Sequence, residues 1–178
     1  MMSGQEFFAG VTGSQNDLAL AAQALRERGL PFCLIGGLAV NRYAEPVVTL
    51  DADFALAGQS DAAAALRRAG FAVREFEHSI NAQLPGSSLR IQITNNSRYG
   101  VFPSRAVVGV VFGVEMPVAC LADVVQGKLW AVLDPSGRAS KRAKDAADII
   151  RLAESHPEVF AIVPAGAVAG LDEIRPAP

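Results

Sequence analysis

Cysteine and histidine are both scarce in this chain, at two residues each. Cys33 and Cys120 sit inside apolar runs, so they read as buried reduced thiols, not as a disulfide or a metal pair. His78 and His156 lie far apart, have no ligand spacing, and read as surface or turn residues. An excess of either charge is also missing. The formal net charge is −2, which excludes a general attraction to nucleic acid and leaves only a local basic patch open. No apolar run reaches the length of a membrane span. The first residues, MMSGQEFFAGVTG, have neither a basic start nor a long apolar stretch, so a signal peptide is not expected and the expected location is the cytoplasm. Internal repeats, low-complexity blocks and nucleophile-elbow, zinc or Walker patterns are absent as well.

What is present is ordinary globular material: 51% hydrophobic and 19% charged residues over 178 positions. That length supports one domain with a substantial core. Ser14 caps an expected helix over 14–28 that stops at Gly29. An all-apolar run over 32–35 reads as a buried strand. Gly36-Gly37 then turns into a short helix over 38–44, and a strand is expected over 48–56. Ser60-Asp61 caps a helix over 60–69. Strands follow over 71–77 and 89–94, then one or two around Gly113 over 107–118. Two helices, 121–133 and 138–155, close the pattern. The interleaved order predicts an α/β fold with a mixed sheet flanked by helices and a C-terminal helical extension. Residues 1–120 form the expected α/β core, and residues 121–178 a helical segment packed on the same domain.

Chemistry concentrates in the strand over 48–56. Side chains alternate in a strand, so Leu50, Ala52, Phe54 and Leu56 share the core face and Thr49, Asp51, Asp53 and Ala55 the other. Asp51 and Asp53 therefore point the same way, about 7 Å apart at their backbones. Carboxylates so placed can converge on one Mg²⁺ or Mn²⁺, or on two ions about 4 Å apart. A bare Asp-x-Asp is usually a solvated strand face. Here aspartate, a poor strand former, occurs twice in one strand. Upstream, a buried strand ends in Gly36-Gly37 and enters a helix, an arrangement that lets backbone N–H groups approach a phosphate.

The segment FCLIGGLAVNRYAEPVVTLDADFAL resembles the signature of the DNA polymerase β-like nucleotidyltransferase superfamily, in particular its small bacterial members such as the AbiEii-type toxins. The resemblance implies phosphate binding at Gly36 and Gly37 and Mg²⁺ at Asp51 and Asp53, which would also be the catalytic carboxylates. Its motif covers about 25 residues and a looser likeness extends to about residue 155. The superfamily usually supplies a third carboxylate from a neighbouring strand. In Leu89-Arg90-Ile91-Gln92-Ile93-Thr94 the corresponding position is Gln92, which can hydrogen-bond a nucleotide but is a poor metal ligand and no base. An arginine that such members often carry before the Asp-x-Asp strand is Val47 here. Glu75 and Glu77 share a strand face and either replace the missing acid or line an exposed edge.

On the helix over 121–133, Lys128 falls within the apolar stripe of Leu121, Val124, Val125 and Val132. It either snorkels to water or reaches into the cleft toward phosphate. On the last helix Ala146, Ile149, Ile150 and Ala153 define the apolar arc, and Lys141, Lys144, Asp148 and Arg151 the solvated face. The run KLWAVLDPSGRASKRAKDAADI resembles the region after the catalytic core in AbiEii-like members, which implies Lys128, Lys144 and Asp145 as further nucleotide-site residues. Arg138, Lys141, Arg142 and Lys144 cluster at a helix start, where the dipole disfavours cations and favours an anionic partner.

Two functions follow. The first is an enzyme transferring a nucleotidyl group from a nucleoside triphosphate to a hydroxyl of RNA, protein or a small molecule. The second is a nucleotide- or partner-binding module weakened by Gln92, including a toxin–antitoxin component.

Overall fold

The computed structural model describes residues 17–58 and 61–176. The expected caps Ser14 and Ser60 lie outside them. The elements in chain order are α1 (Asp17–Glu27), β1 (Phe32–Ile35), α2 (Gly36–Val40), β2 (Asp51–Leu56), α3 (Ala62–Arg68), β3 (Ala72–Phe76), β4 (Ser79–Gln83), β5 (Arg90–Thr94), α4 (Phe102–Arg105), β6 (Val107–Val111), β7 (Val114–Val118), α5 (Leu121–Leu133), α6 (Ala139–Ser155) and α7 (Val159–Ile162). No described helix is long and apolar enough to cross a membrane.

The strands form one seven-stranded sheet in the order β3-β4-β5-β2-β1-β7-β6. It is mixed: β2 runs parallel to β5 and β1 parallel to β7, while β1 and β2 are antiparallel. Helices flank this sheet, giving the α/β architecture that the interleaved pattern implies. β1 lies near the middle, and its Phe32, Cys33 and Leu34 are all buried. A strand covered on both faces has no polar side to offer, which is why this run carries no alternation. Phe32 meets Phe54 of β2 edge-on, with ring centroids 5.8 Å apart. Burial of each such side chain contributes about 1.5–3 kcal/mol. Cys33 is buried and its thiol is pushed up to about 12, first by desolvation; it is an inert core residue.

β2 carries the alternation that aims the acids. Ala52 and Phe54 are fully buried, while Asp51 and Asp53 turn to the opposite, partly open side. β5 repeats the pattern with Ile91 and Ile93 buried and Arg90 and Gln92 exposed.

Several expectations are corrected. α2 starts at Gly36, not at residue 38, and ends at Val40; turns follow it. β2 begins at Asp51, not at residue 48. The preceding segment is held by the Asn41 side chain, which donates to the Val47 carbonyl at 2.8 Å and accepts from the Val47 N–H at 3.0 Å. Leu50 precedes the strand and its side chain is exposed, not part of the core, although its carbonyl still accepts from the Arg90 N–H at 2.8 Å. Asp61 makes no capping hydrogen bond; it lies near Arg28 and Arg68 at 3.8 and 3.7 Å. Strand β4 has no counterpart in the expected pattern. It pairs with both β3 and β5 and so places a hairpin beside β5, one strand removed from the acid-bearing β2.

Candidate active site

The C-terminal end of β1 turns at Gly36 into α2. Gly36 has φ +69, a backbone region that L side chains rarely adopt. A Cβ built on it would fall 2.2 Å from Asp53 Oδ2. Glycine is thus required twice here, once by the turn and once by the carboxylate packed against it. Gly37 differs: a Cβ there would meet Thr49 no nearer than 3.6 Å, an ordinary contact. A Cβ at Gly37 would fit without displacing a neighbour, and the residue lines the cleft.

That cleft has a volume of about 520 Å³. Its lining includes Gly36, Gly37, Asp51, Asp53, Gln92, Lys128, Lys144 and Asp145, all eight residues singled out from the sequence. They arrive from β1–α2, β2, β5, α5 and α6.

Asp53 is half-buried and stands beside Ile35 on one side and Gln92 on the other. Among the described residues no group donates a hydrogen bond to its carboxylate. Its pKa is raised to about 6, chiefly by burial and then by Asp51; Lys128, Lys141 and Lys144 pull the other way. Asp51 differs in being fully engaged. Arg90 Nε lies 2.7 Å from its Oδ1, and Arg90 Nη2 donates to its Oδ2 at 3.0 Å. Gln92 faces Asp53 in register, so the neighbouring strand offers an amide where a third acid would complete the set. No group of three His, Cys, Asp or Glu side chains able to hold a metal exists among the described residues. Glu75 is tied to Arg67 at 2.6 Å, and neither it nor Glu77 lines the cleft. They do not replace the missing acid.

The opposite wall is built by α5 and α6. Lys128 neither snorkels nor extends freely into the cleft. It is buried, with Nζ 2.7 Å from Asp145 Oδ1 and 2.7 Å from Asp148 Oδ2. Desolvation pulls its pKa down, but Asp148 and Asp145 outweigh that and the net shift is upward. Asp148 is consequently buried and not on a solvated face, which corrects the helical-wheel reading. Arg151 lies 2.7 Å from Asp148 and also donates to the Glu45 carbonyl, tying α6 to the segment before β2. Lys141 approaches Asp145 at 3.7 Å. Lys144 and Arg138 line the cleft without an ion-pair partner among the described residues.

Sequence reasoning missed a third part of the lining. Asn96 Oδ1 accepts from the Arg98 N–H at 3.1 Å and shapes a single helical turn at Ser97–Tyr99. This sets Tyr99 against Phe102 and Trp130, with centroids 5.2 and 5.3 Å away. Arg98 lies 5.1 Å from the rings of both Tyr99 and Trp130. The Asn95-Asn96-Ser97 run marks a turn by its residue types, but nothing local announces the aromatic cluster that this turn builds. Arg90 falls on the strand face of Gln92, but nothing in the sequence signals that it pairs with Asp51. His78 also lines the cleft from the β3–β4 turn.

The donor set fits a hard divalent cation. The carboxylates of Asp51 and Asp53 are oxygen ligands of the type Mg²⁺ and Mn²⁺ prefer, and Mg²⁺ commonly takes only one or two carboxylates plus phosphate. The undonated, half-buried Asp53 is the observation that favours it.

No family model and no curated protein matches the chain. Solved structures do. ANT(2'')-Ia in complex with adenylyl-2''-tobramycin is similar with a TM-score of 0.56 at 16% identity, over 82% of this chain and 91% of that one. JHP933 from Helicobacter pylori gives a TM-score of 0.57 at 18% identity, over 90% and 71%. An antigenic nucleotidyltransferase-like protein from Paracoccidioides brasiliensis gives 0.56 at 14%, over 81% and 78%. The chain therefore has the nucleotidyltransferase-like fold, a mixed sheet flanked by helices.

Proposed function

We propose that this chain is a nucleotidyltransferase that moves a nucleotidyl group from a nucleoside triphosphate to a hydroxyl acceptor. The carrying observation is convergence: the glycine turn, the Asp51/Asp53 pair and the basic start of α6 come from separate parts of the chain and face one cleft. A hydroxyl oxygen attacks the α-phosphorus, the bond to the bridging oxygen breaks, and pyrophosphate leaves with its electron pair. The hydroxyl proton passes to Asp53 or to water, because Gln92 cannot accept it. Gly36 and Gly37 line the cleft, and their backbone N–H groups would hold phosphate oxygens. Lys144 and Arg138 offset phosphate charge from the opposite wall. Lys128 contributes by fixing α5 to α6 and holding Asp145 in place. A bound Mg²⁺ or Mn²⁺ on Asp51 and Asp53 would supply charge neutralisation of the phosphates. The adenylyl group carried by tobramycin in one structural neighbour supports a hydroxyl acceptor. The resemblance to AbiEii-type toxins supports a narrower reading in which the acceptor is the target of a toxin.

Mass spectrometry of candidate acceptors incubated with nucleoside triphosphates and Mg²⁺ tests this. Asp51→Ala is expected to lose transfer by at least about a hundredfold while keeping its circular dichroism. Retention of full transfer by this variant overturns the mechanism.

A second reading is favoured by one feature, the amide of Gln92 facing Asp53. On it the cleft binds nucleotide and turns it over poorly. Calorimetry then gives nucleotide binding without product, and Gln92→Asp gains transfer activity. An unchanged Gln92→Asp variant counts against this reading.

A further inference from the structure

The two aspartates of the cleft are unequal. Both oxygens of Asp51 are engaged by one guanidinium, at 2.7 and 3.0 Å from Arg90. Asp53, one turn of the pleat further along, faces only the neutral Gln92. Register produces the difference. On adjacent parallel strands Asp51 is the partner of Arg90 and Asp53 the partner of Gln92. The Arg90 and Asp51 side chains are 62% and 41% exposed, so neither is locked by packing. A cation is thus already seated on Asp51, and it belongs to the protein.

We infer that Arg90 is a positioning residue that holds Asp51 closed to free divalent cations and yields it only when a phosphate takes over as the guanidinium's partner. This rests on the nucleotidyltransferase reading. A divalent ion arriving alone has to break a two-point, charge-assisted fork and settle beside a fixed positive charge. An ion arriving with a polyphosphate brings a replacement acceptor. Phosphate oxygens match the planar guanidinium fork as carboxylate oxygens do. Asp51 then turns to the cation while Arg90 turns to the phosphate. The ligand class this selects is a metal–polyphosphate complex, loaded as a unit. Free metal binds weakly, and free metal and nucleotide favour each other's binding.

The test measures Mn²⁺ binding by electron paramagnetic resonance for wild type, Arg90→Ala and Arg90→Gln. It is run first without nucleotide, then with the α,β-methylene analogues of the four nucleoside triphosphates. Without nucleotide both variants are expected to bind Mn²⁺ about tenfold tighter, because an exposed fork and one like-charge repulsion are removed. With the preferred analogue present they are expected to bind the complex several-fold more weakly than wild type. Thermal melting should barely change, since an exposed ion pair contributes little to stability. Mn²⁺ affinity that is unchanged or weaker in both variants, without nucleotide, overturns the inference. So does tighter Mn²⁺ binding with no loss of complex affinity, because phosphate would then not be the second partner. Failure of every analogue to bind wild type sinks the nucleotide reading itself. The nucleotide-free Mn²⁺ comparison still decides whether Arg90 guards Asp51.

Discussion

The two walls of the cleft are organised on opposite principles. On the sheet wall, geometry comes from backbone register and close contact: Gly36 against Asp53, Asp53 beside Gln92, Asp51 beside Arg90. Its inner acid is left without a donor. On the helical wall, geometry comes from charge pairing in a buried place: Lys128 sits between Asp145 and Asp148, and Arg151 closes the far side. Its outer cations, Lys144 and Arg138, have no ion-pair partner among the described residues. Each wall leaves charged groups unpaired toward the cleft, and the helical wall also leaves Arg142 Nε and Asp145 Oδ2 buried without a hydrogen bond among the described residues. An acid floor opposite a basic wall suits a metal–polyphosphate, which presents a cation to one side and anionic oxygens to the other.

The helical wall should break most severely. Lys128→Met removes the cation that bridges two buried aspartates, and is expected to cost about 3–5 kcal/mol of stability in urea unfolding. The sheet wall should break next. Gly36→Ala forces a left-handed φ on alanine and a clash with Asp53. It is expected to lower stability by about 2 kcal/mol in thermal unfolding, and Gly37→Ala much less.

Asp53→Asn should act in the other direction. The Asp53 pKa is raised to about 6 in the fold, first by burial and then by Asp51. A raised folded pKa means the fold favours the protonated acid. The contribution is fully present below the unfolded value, and is lost as pH rises through about 6. Asn, always neutral, should therefore stabilise the protein by about 1–2 kcal/mol at pH 8 and by almost nothing at pH 4. Chemical unfolding at the two pH values checks the sign. The smallest effect is expected at Asp61→Ala, which removes two long surface contacts and no cap. Its change in unfolding free energy should stay within about 0.5 kcal/mol.

The floor of the site was legible in the sequence because its signals are local. Gly36-Gly37 after an all-apolar strand and two acids at period two need no tertiary information. Lys128, Lys144 and Asp145 were singled out as site candidates by resemblance, and they line the same cleft as that floor. Other features depend on what lies alongside. Asp148 looks solvated on a helical wheel, and becomes buried because a lysine on the neighbouring helix requires a second anion. Arg90 finds Asp51 only through cross-strand register. Strand β4 carries just Ile80 and Ala82 as buried apolar residues, too weak a period to announce a strand. The Asn96–Tyr99 turn depends on a side-chain hydrogen bond and an aromatic cluster with Trp130, which no periodicity encodes.

The central claim, that the acid floor and the basic wall form one nucleotide site, is tested most directly by an experimental structure with ATP and Mg²⁺. The account expects phosphates between the Gly36–Gly37 backbone and Lys144, a cation on Asp51 and Asp53, and Arg90 turned from Asp51. ATP bound elsewhere, or phosphates touching only one wall, would contradict it.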